Sequence, residues 1–112
     1  MRLQVYLCYP LFDGDLRKNI MIVDELTFYA QSCGVAAVST HECFREVDLN
    51  NKNEISDALA SGCALLWNSH EIWVFAKRIT DRMRKEISLC ETIRKPIKYV
   101  NENKLRKGIV PK

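Results

Sequence analysis

Five apolar residues stand in succession at Ile72-Trp-Val-Phe-Ala76, flanked by charge at Glu71 and Lys77. A run this short, rich in aromatic and β-branched residues, reads as a strand buried on both faces, the pattern of a central strand in a parallel sheet. Parallel neighbours are reached only through crossovers, so the rest of the chain must alternate strands with helices. It does. Leu3–Cys8 is a short β-rich run stopped by Tyr9-Pro10, and Pro10–Asp15 is a turn in which Gly14 can take positive φ and Asp13 or Asp15 can cap a helix. From Leu16 to about Ser32 the apolar residues Leu16, Ile20, Val23 and Ala30, flanked by Leu26 and Tyr29, fall at helical spacing, and Gly34 stands where a helix ends. Val35–Ser39 is a second strand, and Thr40–Asn53 is polar and irregular, with Asn50 and Asn51 as turn residues. A helix over about Glu54–Asn68 carries the stripe Ile55, Leu59, Gly62/Cys63 and Leu66. After the strand at Ile72–Ala76 come a loop (Lys77–Thr80), a helix over about Asp81–Arg94 and a fourth strand at Pro96–Val100. Such alternation predicts an α/β fold: a parallel sheet with helices on both faces and ligands bound beyond the carboxyl ends of the strands.

At 112 residues and 47% hydrophobic content, one domain over residues 1–100 is expected, with a C-terminal tail over 101–112 that has no firm pattern. Net charge is +3, and much of the excess sits in the tail at Lys104, Arg106, Lys107 and Lys112. No basic stripe with interleaved aromatics occurs elsewhere, so nucleic acid is not the expected partner. No apolar run is long enough to cross a membrane, and the N-terminus lacks the pattern of a signal peptide. The five cysteines are odd in number and scattered without Cys-x-x-Cys spacing. This predicts a reduced, cytoplasmic protein whose thiols mostly act as small buried hydrophobes. His41 and His70 show no ligand spacing with the cysteines, so no metal site is expected. No cofactor is expected either, and the first loop has neither a dinucleotide fingerprint nor a P-loop.

Three loops should gather at the carboxyl ends of the strands: Tyr9–Asp15, Thr40–Asn53 and Lys77–Asp81. Asp13-Gly14-Asp15, helped by Arg17, can offer backbone amides to a phosphate or can be an ordinary turn and cap. His41 can contact a base or sugar, or exchange a proton near neutral pH, though one histidine without a partner is weak grounds for either. Tyr6 is a packed core tyrosine or a phenol that hydrogen-bonds an active carboxylate. Trp67 and Trp73 read as core or interface rather than stacking platforms. Glu86 is the sharpest feature. With Met83, Ile87, Cys90 and Ile93 as the apolar face of its helix, a turn of about 100° per residue puts Glu86 inside the apolar arc. A carboxylate there is either ion-paired with Arg82, Lys85 or Arg94, or is a nucleophile or base tuned by burial.

Several of these stretches together resemble the nucleoside 2-deoxyribosyltransferase-like superfamily, most closely its small bacterial and phage branch. They are Val5-Tyr6-Leu7-Cys8 followed by Pro10 and Gly14, then Asn19, Gly34, His41, Leu65-Leu66, Glu71–Phe75, Ile79–Ile87 and Lys95-Pro96-Ile97. The resemblance covers about residues 3–100. It implies a flavodoxin-like or Rossmann-like three-layer sandwich with strand order 2-1-3-4. It also implies cleavage or transfer of an N-glycosidic bond of a nucleoside or nucleotide. By the same resemblance Glu86 is the nucleophile, Tyr6 orients it, and Thr80 helps hold sugar or phosphate. Pro10, Gly14, Arg17, His41, Arg82 and Met83 fall among the substrate-binding positions. The chain departs from the pattern in two places. Arg82 replaces a glycine, and the aspartate that handles the base's proton, which would fall near Cys63, is absent; Asp81 is a possible substitute. The alternative is a non-catalytic module that holds a nucleotide or nucleotide-derived signal, such as a phage-borne sequestering protein. A homodimer or higher homo-oligomer, with a neighbour's C-terminal segment closing the pocket, is also implied.

Overall fold

The alternation is realised in the computed structural model, which describes residues 2–75 and 78–100. Four strands, β1 (Gln4–Cys8), β2 (Ala36–Val38), β3 (Glu71–Val74) and β4 (Ile97–Tyr99), are joined through three helices, α1 (Leu16–Ser32), α2 (Lys52–Trp67) and α3 (Asp81–Thr92). All pairings are parallel and the strand order is β2-β1-β3-β4, as expected. The end of the third predicted strand at Ala76, Lys77 of the third loop, and the whole predicted tail over 101–112 lie outside the described residues.

Strand order and handedness fix the layers. The β1-to-β2 crossover runs one way along the sheet and the next two run the other way, so right-handed connections put α1 on one face and α2 and α3 on the opposite face. The alternation of side chains along β1 matches. Val5 and Leu7 pack with Leu26, Ala30, Trp73 and Phe75 on the α1 side. Tyr6 and Cys8 pack with Leu66, Ile72, Val74, Met83, Ile87 and Cys90 on the α2/α3 side. Trp73 and Phe75 are therefore core residues, whereas Trp67 is exposed. A third cluster, including Leu11, Leu16, Ile20, Val23, Phe44, Val47 and Ala58, ties the first loop and α1 to the segment before α2 and to α2 itself.

The predicted elements differ from the observed ones mainly at Thr40–Asn53. This stretch is not irregular throughout: Thr40–Phe44 is a 3₁₀ helix, with Phe44 and Val47 buried. α2 begins at Lys52 because the Asn51 side chain accepts from the amides of Asn53 and Glu54, so Asn51 is a cap rather than a turn residue. α3 stops at Thr92, and Arg94 takes φ 57°. Of the cysteines, only Cys8 and Cys90 are buried, fewer than expected, and Cys33 and Cys63 are exposed. Among the described residues no helix is long and apolar enough to cross a membrane.

Candidate active site

β1 and β3 lie side by side at the centre, and their outgoing connections leave toward opposite faces of the sheet. That divergence opens a crevice at the carboxyl ends, where ligands bind in folds of this type. α3 starts here. Thr80 is its N-cap, the hydroxyl accepting from the Met83 amide at 3.3 Å. Because Met83, Ile87 and Cys90 are driven into the core, Glu86 is carried inward with them. It meets the two inward residues of β1. The Tyr6 phenol donates to Glu86 Oε2 at 2.5 Å, and the Cys8 thiol donates to Oε1 at 3.3 Å. Tyr6 is 1% exposed and Cys8 0%. The phenol's one proton goes to the carboxylate, so its oxygen accepts from Thr40 Oγ1, which lies 2.5 Å away. Thr40 in turn sits against α2 at Gly62, where a Cβ would come within 2.5 Å of the threonine hydroxyl. A chain of contacts thus runs from α2 through Thr40 and Tyr6 to the carboxylate on α3.

Burial pushes the Glu86 carboxyl above its ordinary range. The Tyr6 phenol, the Cys8 thiol and the Arg82 guanidinium pull it down without cancelling that effect. Tyr6 and Cys8 are both pushed up, first by burial and then by the Glu86 charge, so both remain proton donors at neutral pH.

The surrounding loops are cross-tied. Asn19, buried in α1, donates from Nδ2 to the carbonyls of Leu11 at 2.8 Å and Asp13 at 2.9 Å, fixing the loop that holds Pro10 and Gly14. Gly14 takes φ 90°, the conformation anticipated for it. Asp13 pairs with Arg78 at 2.6 Å, joining the first loop to the third. The Arg82 guanidinium lies 5.0 Å from the centre of the Phe12 ring, and among the described residues it has no ion pair. Phe12 itself packs edge-on against Phe44 at 4.9 Å.

The candidate residues therefore divide. Tyr6, Glu86 and Arg82 are brought together, with Thr80 and Asp81 at the start of the same helix, where Asp81 is exposed. Met83 is buried in the core beneath Glu86. Arg17 is turned to the Arg45 carbonyl. His41 is 1% exposed and bonds Asp24 at 3.0 Å, not the Glu86 cluster. Burial lowers its pKa, against the pull of Glu42 and Asp24. Asp24, His41 and Glu42 could together face a metal ion, but the Arg45 guanidinium already joins both carboxylates, at 2.7 and 2.5 Å.

Three members of the cluster, Thr40, Cys8 and Gly62, were not anticipated. Cys8 had a signal, since it lies two residues after Tyr6 and so shares its face of the strand. Gly62 had one too: an isolated glycine inside a helix points to close packing. Thr40, which opens the segment after β2, had none.

A family described as "Domain of unknown function (DUF7768)" matches residues 3–100. The chain belongs to this family. No curated protein matches it. Among solved structures it is similar to a 2-deoxyribosyltransferase from the psychrotolerant bacterium Bacillus psychrosaccharolyticus. That likeness has a TM-score of 0.64 at 12% identity and spans 95% of this chain and 82% of the other. At this identity the likeness speaks to the fold, which this DUF7768 chain shares.

Proposed function

We propose that this protein breaks or transfers the N-glycosidic bond of a nucleoside or nucleotide, with Glu86 as nucleophile. The observation that carries the reading is the half-buried Glu86 carboxylate, held at 2.5 Å by the Tyr6 phenol at the switch point of the sheet. In this scheme a Glu86 oxygen forms a bond to C1′ as the C1′–N bond breaks and its electron pair leaves with the base. Water or a second base then displaces the carboxylate from C1′. Tyr6 fixes the carboxylate and, with its proton held by burial, does not compete as a base. Asp81 is the group assigned to proton transfer at the departing base. Thr80, whose hydroxyl proton is free of its capping bond, lies with Pro10 and Gly14 near sugar or phosphate. Arg82 offers a guanidinium to an anionic substituent. The fold of a 2-deoxyribosyltransferase supports the same reading.

A second reading is favoured by Arg82, which leans on Phe12 across the crevice: the pocket holds a nucleotide without cleaving it. The test is chromatography of a nucleoside and nucleotide panel incubated with wild type and Glu86→Gln, together with intact-mass analysis. The enzyme reading expects free base from wild type only, at least ~10³-fold above Glu86→Gln, and a sugar adduct on Glu86. Unchanged ligand retained by both proteins would establish binding in its place. If Asp81 moves the proton, Asp81→Asn slows release by ~10²–10⁴-fold.

A further inference from the structure

Glu86 has two oxygens, and the structure treats them differently. Oε2 takes a short bond from the Tyr6 phenol, at 2.5 Å. Oε1 takes its bond from the Cys8 thiol, at 3.3 Å, and sulfur is the weaker donor. Both donors stand on β1, two residues apart, and both are buried against the same face of α3. One donor alone would leave the carboxylate free to rotate about its terminal torsion, which has broad, shallow preferences. Two donors from a rigid central strand fix its plane.

We propose that Cys8 is a positioning residue: its S–H bond to Oε1, opposite the phenol on Oε2, locks the Glu86 carboxylate plane and leaves Oε1 as the oxygen free to react. A serine or a main-chain amide at this place would hold Oε1 as firmly as the phenol holds Oε2 and would quench it. A residue without a donor would let the plane turn. The thiol lies between these limits. Its burial and the Glu86 charge keep it protonated, so it acts as a donor and not as a second nucleophile. The inference takes its functional meaning from the proposed role of Glu86, but the bond itself exists in the resting protein and can be measured there.

The groups that bear on Glu86 are Tyr6 and Cys8 from β1 and Arg82 from its own helix, with Thr40 acting through Tyr6 and the Cys90 thiol one turn further along α3. The test is a ¹³C titration of the Glu86 side-chain carboxyl by NMR in wild type, Cys8→Ala and Cys8→Ser, with Glu86→Gln to assign the signal. Loss of the donor in Cys8→Ala moves the midpoint to higher pH, and Cys8→Ser keeps it at or below the wild-type value. A packing role alone would move both variants together. The idea is therefore overturned if the alanine variant titrates as wild type does, or if serine follows alanine. An infrared comparison avoids any change at Cys8: in Glu86→Gln one S–H stretching band moves to higher frequency as its acceptor weakens, and an unaltered S–H region sinks the proposal. Neither measurement needs a substrate, so failure of the glycosidase reading and failure of this one are separable.

Discussion

At the scale of single residues, Glu86 stands where its surroundings oppose its charge. Its neighbours on the core face of α3 are apolar, and the donors that reach it do not fully compensate for its burial. The consequence for stability has a definite sign. The folded-state pKa lies above the ordinary value near 4.5. Below that value the group is protonated in both the folded and the unfolded chain and imposes no penalty. As pH rises through the raised folded value, ionisation favours the unfolded chain, and the stability present at low pH is lost. Glu86→Gln removes the ionisable group and should therefore raise the Tm at pH 7. The gain should shrink toward zero near pH 4. Thermal melts of the two proteins at both pH values check this; equal Tm differences at the two values would mean that the gain is not electrostatic. Tyr6→Phe acts in the opposite direction. It leaves Thr40 Oγ1 and Glu86 Oε2 short of a partner and should cost about 1–3 kcal/mol, read by denaturant unfolding.

At the scale of elements, the site depends on how closely α2 approaches the segment after β2. Gly62 is buried in the middle of α2, where alanine would ordinarily be better by about 1 kcal/mol. Here the added Cβ would meet Thr40 Oγ1 at 2.5 Å and Cγ2 at 2.8 Å. Overpacking should win, so that Gly62→Ala destabilises by about 1–3 kcal/mol and pushes Thr40 away from the Tyr6 phenol. Thr40→Ala removes both close atoms, so Gly62→Ala in that background should cost far less. A double-mutant cycle by denaturant unfolding gives the coupling, and additivity would mean the two sites do not touch. The elements that could be read from sequence are those whose period is dictated by a single burial face. The starts of α1 and α3 are legible because Leu16, Ile20 and Val23, and Met83, Ile87 and Cys90, face one layer each. The segment from Thr40 to Val47 could not be read, because Phe44 and Val47 are buried by packing on distant parts of the chain, with no local period to announce it. Glu86 can be singled out by its position in the apolar arc; Tyr6 reads from its own strand as a core residue or a carboxylate's partner, and the resemblance is what ties it to Glu86. The contacts of Cys8 and Thr40 depend on a register between β1, α2 and α3 that is set only once the sheet has assembled.

At the scale of the whole molecule, one strand serves both halves of the core. β1 lies between β2 and β3, sends Val5 and Leu7 to the α1 layer and Tyr6 and Cys8 to the α2/α3 layer, and is buried from Val5 to Cys8. Neither layer can come away without exposing this strand, and a third cluster ties α1 to Phe44, Val47 and Ala58, so the domain should open as one cooperative unit. β2 and β4 are the sheet's edges, three residues each and only partly buried, and should exchange their amides through local fraying. The β1 and β3 amides should exchange only by global opening. Leu26→Ala in the α1 layer should cost about 2–5 kcal/mol and Ile87→Val in the α3 layer about 0.5–1.5 kcal/mol. Each should lower the protection of the same β1 amides by its own full ΔΔG. Because Leu26 and Ile87 lie in different clusters on opposite faces, the double variant should show the sum to within about 0.5 kcal/mol. Native-state hydrogen exchange resolves the outcome amide by amide. If Leu26→Ala speeds exchange in α1 while β1 keeps its wild-type protection, the α1 layer opens independently, and the site on the other face is insulated from it. If both substitutions lower β1 equally per unit of ΔΔG, the geometry at Glu86 is held by the stability of the entire sheet, including the layer it never touches.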